Sequence, residues 1–496
     1  MPLAVILSFA CVLIAISPHG YLGGDGDEFR YLQAARCASE HGFCAPVDHW
    51  WRRYPLVVPL GAAIRLFGET PTALMLAPLA YGLAAITLFV TLVQRQFGRG
   101  EAVLAGIALV ATPVFCTRLL GPNIDIPELA FGLAALVCLQ SAARCSAGSE
   151  AGIGARSWIV SSGVMLGLAV QARPTSLALL PIFILGLWAL RRVRAWAIPF
   201  MAGFMIPNAI EAIGYWIGMG APLRPWQLSL AHTRIPSSSL SPNVDLTQSP
   251  LFNPAYIAGW ERSAGISVHW TVDGLLNLLL HPSTALTFAC GLLFVVLGWR
   301  RLGTDRGGGR TLPFLIAGGA LFFAALTYGL AIDPEPRMFL PLVAVACTCF
   351  GVFAARHWTS SRLPVAVAIS LIAAKGMIAA YERPHLSSEA ALAQSWVTAD
   401  RGKIAVEGRT SRFLTLNATI RALPVYAPAV IADRLLLIGE DDCTTARYDA
   451  GLTGWPVVKR AAAFPRAEPW AIAALRRRQL FLAPRKTPVM CLFARA

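Results

Sequence analysis

Hydrophobic positions run along most of this chain in long, nearly uncharged blocks rather than in the stripes of a surface helix. Blocks long enough to cross roughly 30 Å of hydrocarbon lie near 2–18, 71–93, 102–117, 126–143, 158–172, 174–190, 195–217, 284–299, 311–332, 338–355 and 363–381. The pattern predicts about 11 transmembrane helices over residues 1–381, with two long connections at 19–70 and 218–283. Beyond that point it changes. Short strand-like stretches at Lys403–Val406, Arg434–Ile438, Gln479–Leu482 and Val489–Phe493 alternate with polar and helical segments. Residues 382–496 therefore read as a small, water-exposed α/β domain without a catalytic signature of its own.

Composition agrees with this division. Of 496 residues, 56% are hydrophobic and 14% are charged, against about 25% charged in an average soluble domain. Residues 382–496 hold 27 of the 69 charged side chains. The net charge of +15 would point a soluble protein toward nucleic acid, but here its placement gives another reason. With Met1 on the cytoplasmic side, the inner loops collect 13 arginines (Arg95, Arg99, Arg144, Arg156, Arg191, Arg192, Arg194, Arg300, Arg301, Arg306, Arg310, Arg356 and Arg362) against Glu101, Glu150 and Asp305. This is the positive-inside asymmetry, and an odd span count then puts the C-terminal domain outside with both long loops. The first span lacks a basic leader and a cleavage site, so it is expected to stay as an anchor.

The 38 arginines against four lysines read as a GC-rich bacterial genome, which would make the location the inner membrane and the outer compartment the periplasm. There Cys37 with Cys44, and Cys443 with Cys491, could form disulfides. The other seven cysteines lie in or beside spans and read as packing residues. No C-x-x-C, metal-spaced His/Cys cluster, phosphate-binding glycine loop or internal repeat is found, which argues against a nucleotide-driven module.

Chemistry concentrates in the first outer loop. The chain leaves its first span as Gly24-Asp25-Gly26-Asp27-Glu28-Phe29-Arg30-Tyr31. Three carboxylates so close together raise one another's proton affinity. They read either as the acidic start of a helix over Glu28–Ala38, or as a general base, Asp27, positioned with the help of Glu28. Asp25 and Asp27 as ligands of a divalent cation are a weaker alternative. Further on, His49-Trp50-Trp51-Arg52-Arg53-Tyr54-Pro55 leads into an apolar segment that suits a helix lying in the membrane interface. Arg52 and Arg53 can serve lipid headgroups, or one of them can bind a phosphate facing the acids.

These motifs together resemble the GT-C glycosyltransferases, and within them the protein mannosyltransferase and lipid A aminoarabinose transferase group. The resemblance rests on Asp27-Glu28-x-x-Tyr31 after the first span, the basic-x-Pro-Leu segment around Arg53, and the helix ending Leu66-Phe67-Gly68. Gly121-Pro122-Asn123-Ile124-Asp125-Ile126-Pro127 and Asp333-Pro334-Glu335-Pro336-Arg337-Met338-Phe339-Leu340-Pro341 add to it. It covers roughly residues 1–380. The chain departs from the group's pattern at Tyr54-Pro55, where a Pro-Pro is usual, and at Met338, where a Tyr is usual.

The resemblance implies an inverting transfer of a sugar from a polyprenyl-phosphate donor, at the outer leaflet, to an acceptor hydroxyl. Asp27 would be the base, with Arg53, Arg337, Arg52 and Arg173 as candidate phosphate ligands. Tyr31 would line the site, and Asp125 would orient the acceptor or hold Arg53. No cofactor is called for, though a divalent cation stays open. The partners would be the donor, membrane lipids and an acceptor (lipid A, another glycan, a glycolipid or a protein), not nucleic acid. In the second long loop, Arg224-Pro225-Trp226, His232, Arg234, Trp260-Glu261-Arg262 and His269-Trp270 form a candidate cover for the acceptor. Glu211 and Lys375 are ionisable groups inside spans; the first reads as a site hypothesis and the second as a snorkelling side chain. Rival readings are a flippase for lipid-linked sugars, which would carry paired charges at mid-span, a scaffold whose tail binds a partner, and an oligosaccharide ligase of related architecture.

Overall fold

The computed structural model describes residues 2–16, 27–42, 44, 48–146, 153–189, 193–224, 226–228, 275, 278–279, 283–298, 311–329, 336–358, 362–382, 395–396, 404–406, 433–439, 443, 454–462 and 489–495. Helices dominate it: α1 (Pro2–Ile16), α2 (Asp27–His41), α3 (Tyr54–Phe67), α4 (Pro71–Gln96), α5 (Arg99–Ala111), α6 (Pro113–Cys116), α7 (Asp125–Cys145), α8 (Ile153–Ala172), α9 (Leu180–Ala189), α10 (Val193–Met219), α11 (Ala285–Gly298), α12 (Thr311–Ala324), α13 (Leu340–His357) and α14 (Arg362–Glu382).

Every block read as a span coincides with one or two of these helices. Among the described residues, six helical segments are long and apolar enough to cross a membrane unaided: Thr72–Gln96, Asp125–Cys145, Trp196–Met219, Thr311–Tyr328, Pro336–His357 and Arg362–Ala380. The protein is thus a multi-span membrane protein. Other spans are shorter for local reasons. The block at 102–117 is broken where Thr112 turns extended before Pro113, because a proline disfavours helical backbone in the residue before it. The Thr112 hydroxyl covers the exposed end by donating to the Ala108 carbonyl at 2.6 Å.

Helix α7 packs on both α4 and α8, α8 on α10, and α13 on α5 and α11. The α8–α10 crossing is close because glycines line it. A Cβ on Gly163 would stand 2.0 Å from the Phe200 carbonyl oxygen, and one on Gly203 would stand 2.1 Å from that of Val160. On its other side α10 exposes Ile198, Ile210, Trp216 and Ile217, the surface a helix presents to lipid rather than to water.

The connection after the first span folds as a helical pair. Helix α2 packs on α3, with Gly61 of α3 against the Ala35 carbonyl, and Leu32, Ala35, Leu60, Ile64 and Leu74 form a shared apolar centre. Cys37 and Cys44 are disulfide-bonded near the C-terminal end of α2. His41 lies beside them, giving the one Cys/His cluster with metal-like geometry among the described residues. Its sulfurs are spent on the disulfide, so no thiolate is available there.

In the tail, β1 (Ile404–Val406), β2 (Arg434–Gly439), β3 (Val457–Ala462) and β4 (Val489–Ala494) form one sheet in the order β1-β2-β4-β3. β1 and β2 are parallel, and β4 is antiparallel to both β2 and β3. Cys443 is disulfide-bonded to Cys491 of β4. Three of the expected strands are present, and the fourth, Gln479–Leu482, falls outside the described residues. β3 is an addition: its charged Lys459-Arg460 and its alanines mask the signal, as suits an edge strand.

Candidate active site

Helix α2 opens on Asp27 and Glu28, acids at the end where the helix macrodipole favours negative charge. The helix therefore starts at Asp27 itself, one residue earlier than the sequence reading placed it. The Asp27 carboxylate is held from two sides. Trp50 Nε1 donates to Oδ1 at 2.6 Å, and Arg337 Nη1 stands 3.3 Å from Oδ2. Arg337 lies on the 3-10 turn Pro336–Phe339 that leads into α13. Beside it, Glu28 Oε1 is 3.6 Å from Arg118 Nη1. Burial raises the Glu28 carboxyl above its ordinary value, against the pull of Arg118. Tyr31 follows one turn later, 1% exposed and packed with Leu56 and Ile124. Burial, reinforced by Asp27, holds its phenol well above the usual range.

The turn before α3 sends its two arginines to different partners. Asp48 Oδ1 accepts from the backbone N–H groups of Trp50 at 3.0 Å and Trp51 at 3.3 Å. Arg52, fully buried, reaches Glu211 Oε2 of α10 at 3.2 Å, with its guanidinium 5.4 Å from the Trp226 ring centroid. Arg53, at the N-cap of α3, is 7% exposed. Burial lowers its guanidinium to about 10, and the like charges of Arg52 and Arg173 push the same way. Among the described residues, its Nε and Nη1 have no hydrogen-bond partner.

A second charged group sits at the start of α7. The Asn123 side chain accepts from Ile126 N at 3.0 Å, so it caps the helix and leaves Asp125 for other use. Arg173 Nη1 lies 2.5 Å from Asp125 Oδ1 and 3.5 Å from Glu128 Oε2, while the Ser176 hydroxyl donates to Glu128 Oε1 at 2.6 Å. Glu128 also lines an apolar cavity of about 90 Å³, walled by Phe89, Leu133, Phe183, Phe314 and Phe322. A fully buried carboxylate is tolerable only when paired and hydrogen-bonded, and Arg173 and Ser176 meet both needs.

Of the residues singled out in the sequence, Asp27, Glu28, Tyr31, Arg53 and Arg337 come together. Asp125 joins Arg173 instead of Arg53, and Arg173 is buried in that pair rather than snorkelling. Arg52 is committed to Glu211, which answers what partners that intramembrane acid. Lys375, half-buried, lines a small cavity with Ser283, Thr284 and Thr287. Asp25, and the second-loop residues named above other than Arg224 and Trp226, fall outside the described residues. Sequence reading missed Trp50, Arg118, Glu128 and Ser176. Glu128 had a signal, an acid in the first turn of a span; the other three are defined only by what they touch.

Residues 55–216 match the family model described as dolichyl-phosphate-mannose-protein mannosyltransferase. No curated protein matches the chain. Among solved structures, ArnT from Cupriavidus metallidurans bound to undecaprenyl phosphate is similar at 14% identity, with a TM-score of 0.52 over 99% of this chain and 97% of that one. The oligosaccharyltransferase AglB from Archaeoglobus fulgidus, in complex with an inhibitory peptide and a dolichol-phosphate, is similar at 13% identity and a TM-score of 0.52, over 86% of this chain and 61% of its own. The chain has the GT-C fold that these structures share, and its residues 55–216 are similar in sequence to the protein mannosyltransferase family.

Proposed function

We propose that this protein is an inverting glycosyltransferase that moves a sugar from a polyprenyl-phosphate donor to a hydroxyl of a cell-envelope acceptor, on the outer face of a bacterial inner membrane. One observation carries the reading. Arg53, within electrostatic reach of the Asp27 carboxylate, is a buried guanidinium whose Nε and Nη1 have no hydrogen-bond partner among the described residues. Leaving a buried donor unsatisfied costs about 1–3 kcal/mol, more when it is charged. An anion seated there, such as a phosphate, removes that cost.

The chemistry follows from the two groups. Asp27 takes the proton of the acceptor hydroxyl as its oxygen attacks the anomeric carbon. The bond from that carbon to the phosphate oxygen breaks on the opposite face, through an oxocarbenium-like state. Arg53 neutralises the charge that the departing lipid phosphate gains, and Arg337, paired with Asp27 at 3.3 Å, adds a second cation to the site. The reading needs no cofactor. ArnT was crystallised with undecaprenyl phosphate and AglB with dolichol-phosphate and a peptide, ligands in keeping with a lipid-phosphate donor here. The likeness to AglB keeps an oligosaccharide ligase as the second reading.

Purified protein in nanodiscs, given a panel of labelled undecaprenyl-phosphate hexoses and pentoses together with lipid A, glycan, glycolipid and peptide acceptors, should release undecaprenyl phosphate and move the sugar to an acceptor for at least one pairing. Asp27→Asn should lower turnover by about 100-fold or more, the scale of a lost general base. Full turnover in Asp27→Asn would sink the assignment. Turnover only with oligosaccharide-linked donors would favour the ligase.

A further inference from the structure

Trp50 contacts the acid at the centre of the site, and neither the sequence motifs nor the comparisons assign it a role. Its indole N–H is 2.6 Å from Asp27 Oδ1. Two groups pack on the ring itself: the His49 ring centroid lies 3.7 Å away, and the Arg30 guanidinium sits 5.8 Å from the ring centroid. Arg30 comes from α2, three residues after Asp27, and its Nη1 is also 3.6 Å from Asp48 Oδ2. Asp48 in turn fixes the Trp50 backbone N–H at 3.0 Å. The first turn of α2 and the turn at 48–50 thus clasp each other at two points, the Asp27–Trp50 bond and the Arg30–Asp48 pair.

An aspartate at the start of a helix has a competing use for its oxygens, because the free backbone N–H groups of the first turn attract them. A base that folds back to cap its own helix is lost to substrate. A carboxylate offers about four lone-pair positions, and the Trp50 and Arg337 contacts occupy one on each oxygen, fixing the plane of the group and leaving lone pairs for an incoming hydroxyl. The Asp27 side chain is 26% exposed, so solvent does not hold it in place. An indole suits this task, since it donates a single hydrogen bond, accepts none, and cannot take the proton itself.

We propose that Trp50 is a positioning residue that locks the Asp27 carboxylate in its proton-accepting orientation, with Arg30 and Asp48 holding Trp50 in turn. This rests on the reading of Asp27 as the base. Trp50→Phe keeps an aromatic ring and removes the N–H together with the bulk of the pyrrole ring. With the most active donor of the panel above, it should lower kcat by about 10- to 100-fold, as small misplacements of a reacting group do, while KM and undecaprenyl phosphate binding stay within twofold. Arg30→Met should lower kcat in the same direction by a smaller factor, which keeps the test alive should Trp50→Phe fail to fold. In protein labelled with ¹⁵N-tryptophan, one downfield indole N–H resonance should vanish in Trp50→Phe and move upfield in Asp27→Ala.

Unchanged kcat in both variants, a loss of undecaprenyl phosphate binding equal to the loss of turnover, or no indole resonance that responds to Asp27→Ala would each overturn the proposal and leave the base reading standing. Full activity in Asp27→Asn would instead remove the base reading on which it rests.

Discussion

At the scale of the residue, the site holds one arginine in a position that folding alone does not favour. Arg53 is buried, and two of its nitrogens are unsatisfied among the described residues. Arg53→Met, which keeps the stem and removes the charge, should therefore raise the thermal midpoint, by the equivalent of about 1–3 kcal/mol, while abolishing undecaprenyl phosphate binding. Scanning calorimetry and a binding titration on the same sample test this trade of stability for function. Glu28 gives a pH-dependent counterpart. Its folded-state carboxyl is raised by burial, so its charged form costs stability above the raised value. That cost fades as pH falls back toward the ordinary carboxylate range. Glu28→Gln should raise the melting temperature at pH 7, and the gain should shrink on acidification; a gain that grows would contradict the burial. The acids and Arg53 were legible because charge beside a span is rare and therefore informative. Trp50, Arg118 and Ser176 were not, because an indole, a loop arginine and a hydroxyl become site residues only through a neighbour that is distant in sequence.

At the scale of the element, the helices follow from hydrophobic block length, and their ends from local residues such as the Thr112-Pro113 break and the Asn123 cap. Their closeness follows from glycine. Backbone carbonyls, not flexible side chains, face Gly163 and Gly203, so an added methyl must push α8 and α10 apart. Gly203→Ala should destabilise the protein by about 1–3 kcal/mol, the usual cost of overpacking. Gly214→Ala on the same helix meets nothing within 4 Å and should be neutral or slightly stabilising. Thermal unfolding of the two variants side by side decides it. The positions of both glycines were visible in the sequence, but their different roles were not: one faces a helix across a seam, and the other faces open space.

At the scale of the whole molecule, orientation is read from charge and tested by access. In a background without free cysteines, Asp305→Cys should react with an impermeant maleimide only after the membrane is breached, and Ala399→Cys should react from outside in intact cells. The reverse pattern would invert the topology. The buried Arg52–Glu211 pair joins the turn before α3 to α10, residues 159 apart in the chain. Removing one partner of such a pair costs about 3–5 kcal/mol, so Arg52→Ala should lower the melting temperature strongly, whereas substituting both partners together with apolar residues should restore much of it.

The sequence by itself determined that the chain crosses the membrane many times, which loops are arginine-rich, where the composition changes after the last span, and which acids follow the first span. All of these depend on local composition: hydrocarbon accepts only long apolar helices, and charge is costly within it. Only the tertiary structure decided the pairing: Asp27 with Trp50 and Arg337, Asp125 with Arg173, Arg52 with Glu211, and Arg53 with two nitrogens left over. Each acid had several arginines it could have met, and which one it meets depends on helix crossings set by packing across hundreds of residues, which no local pattern encodes.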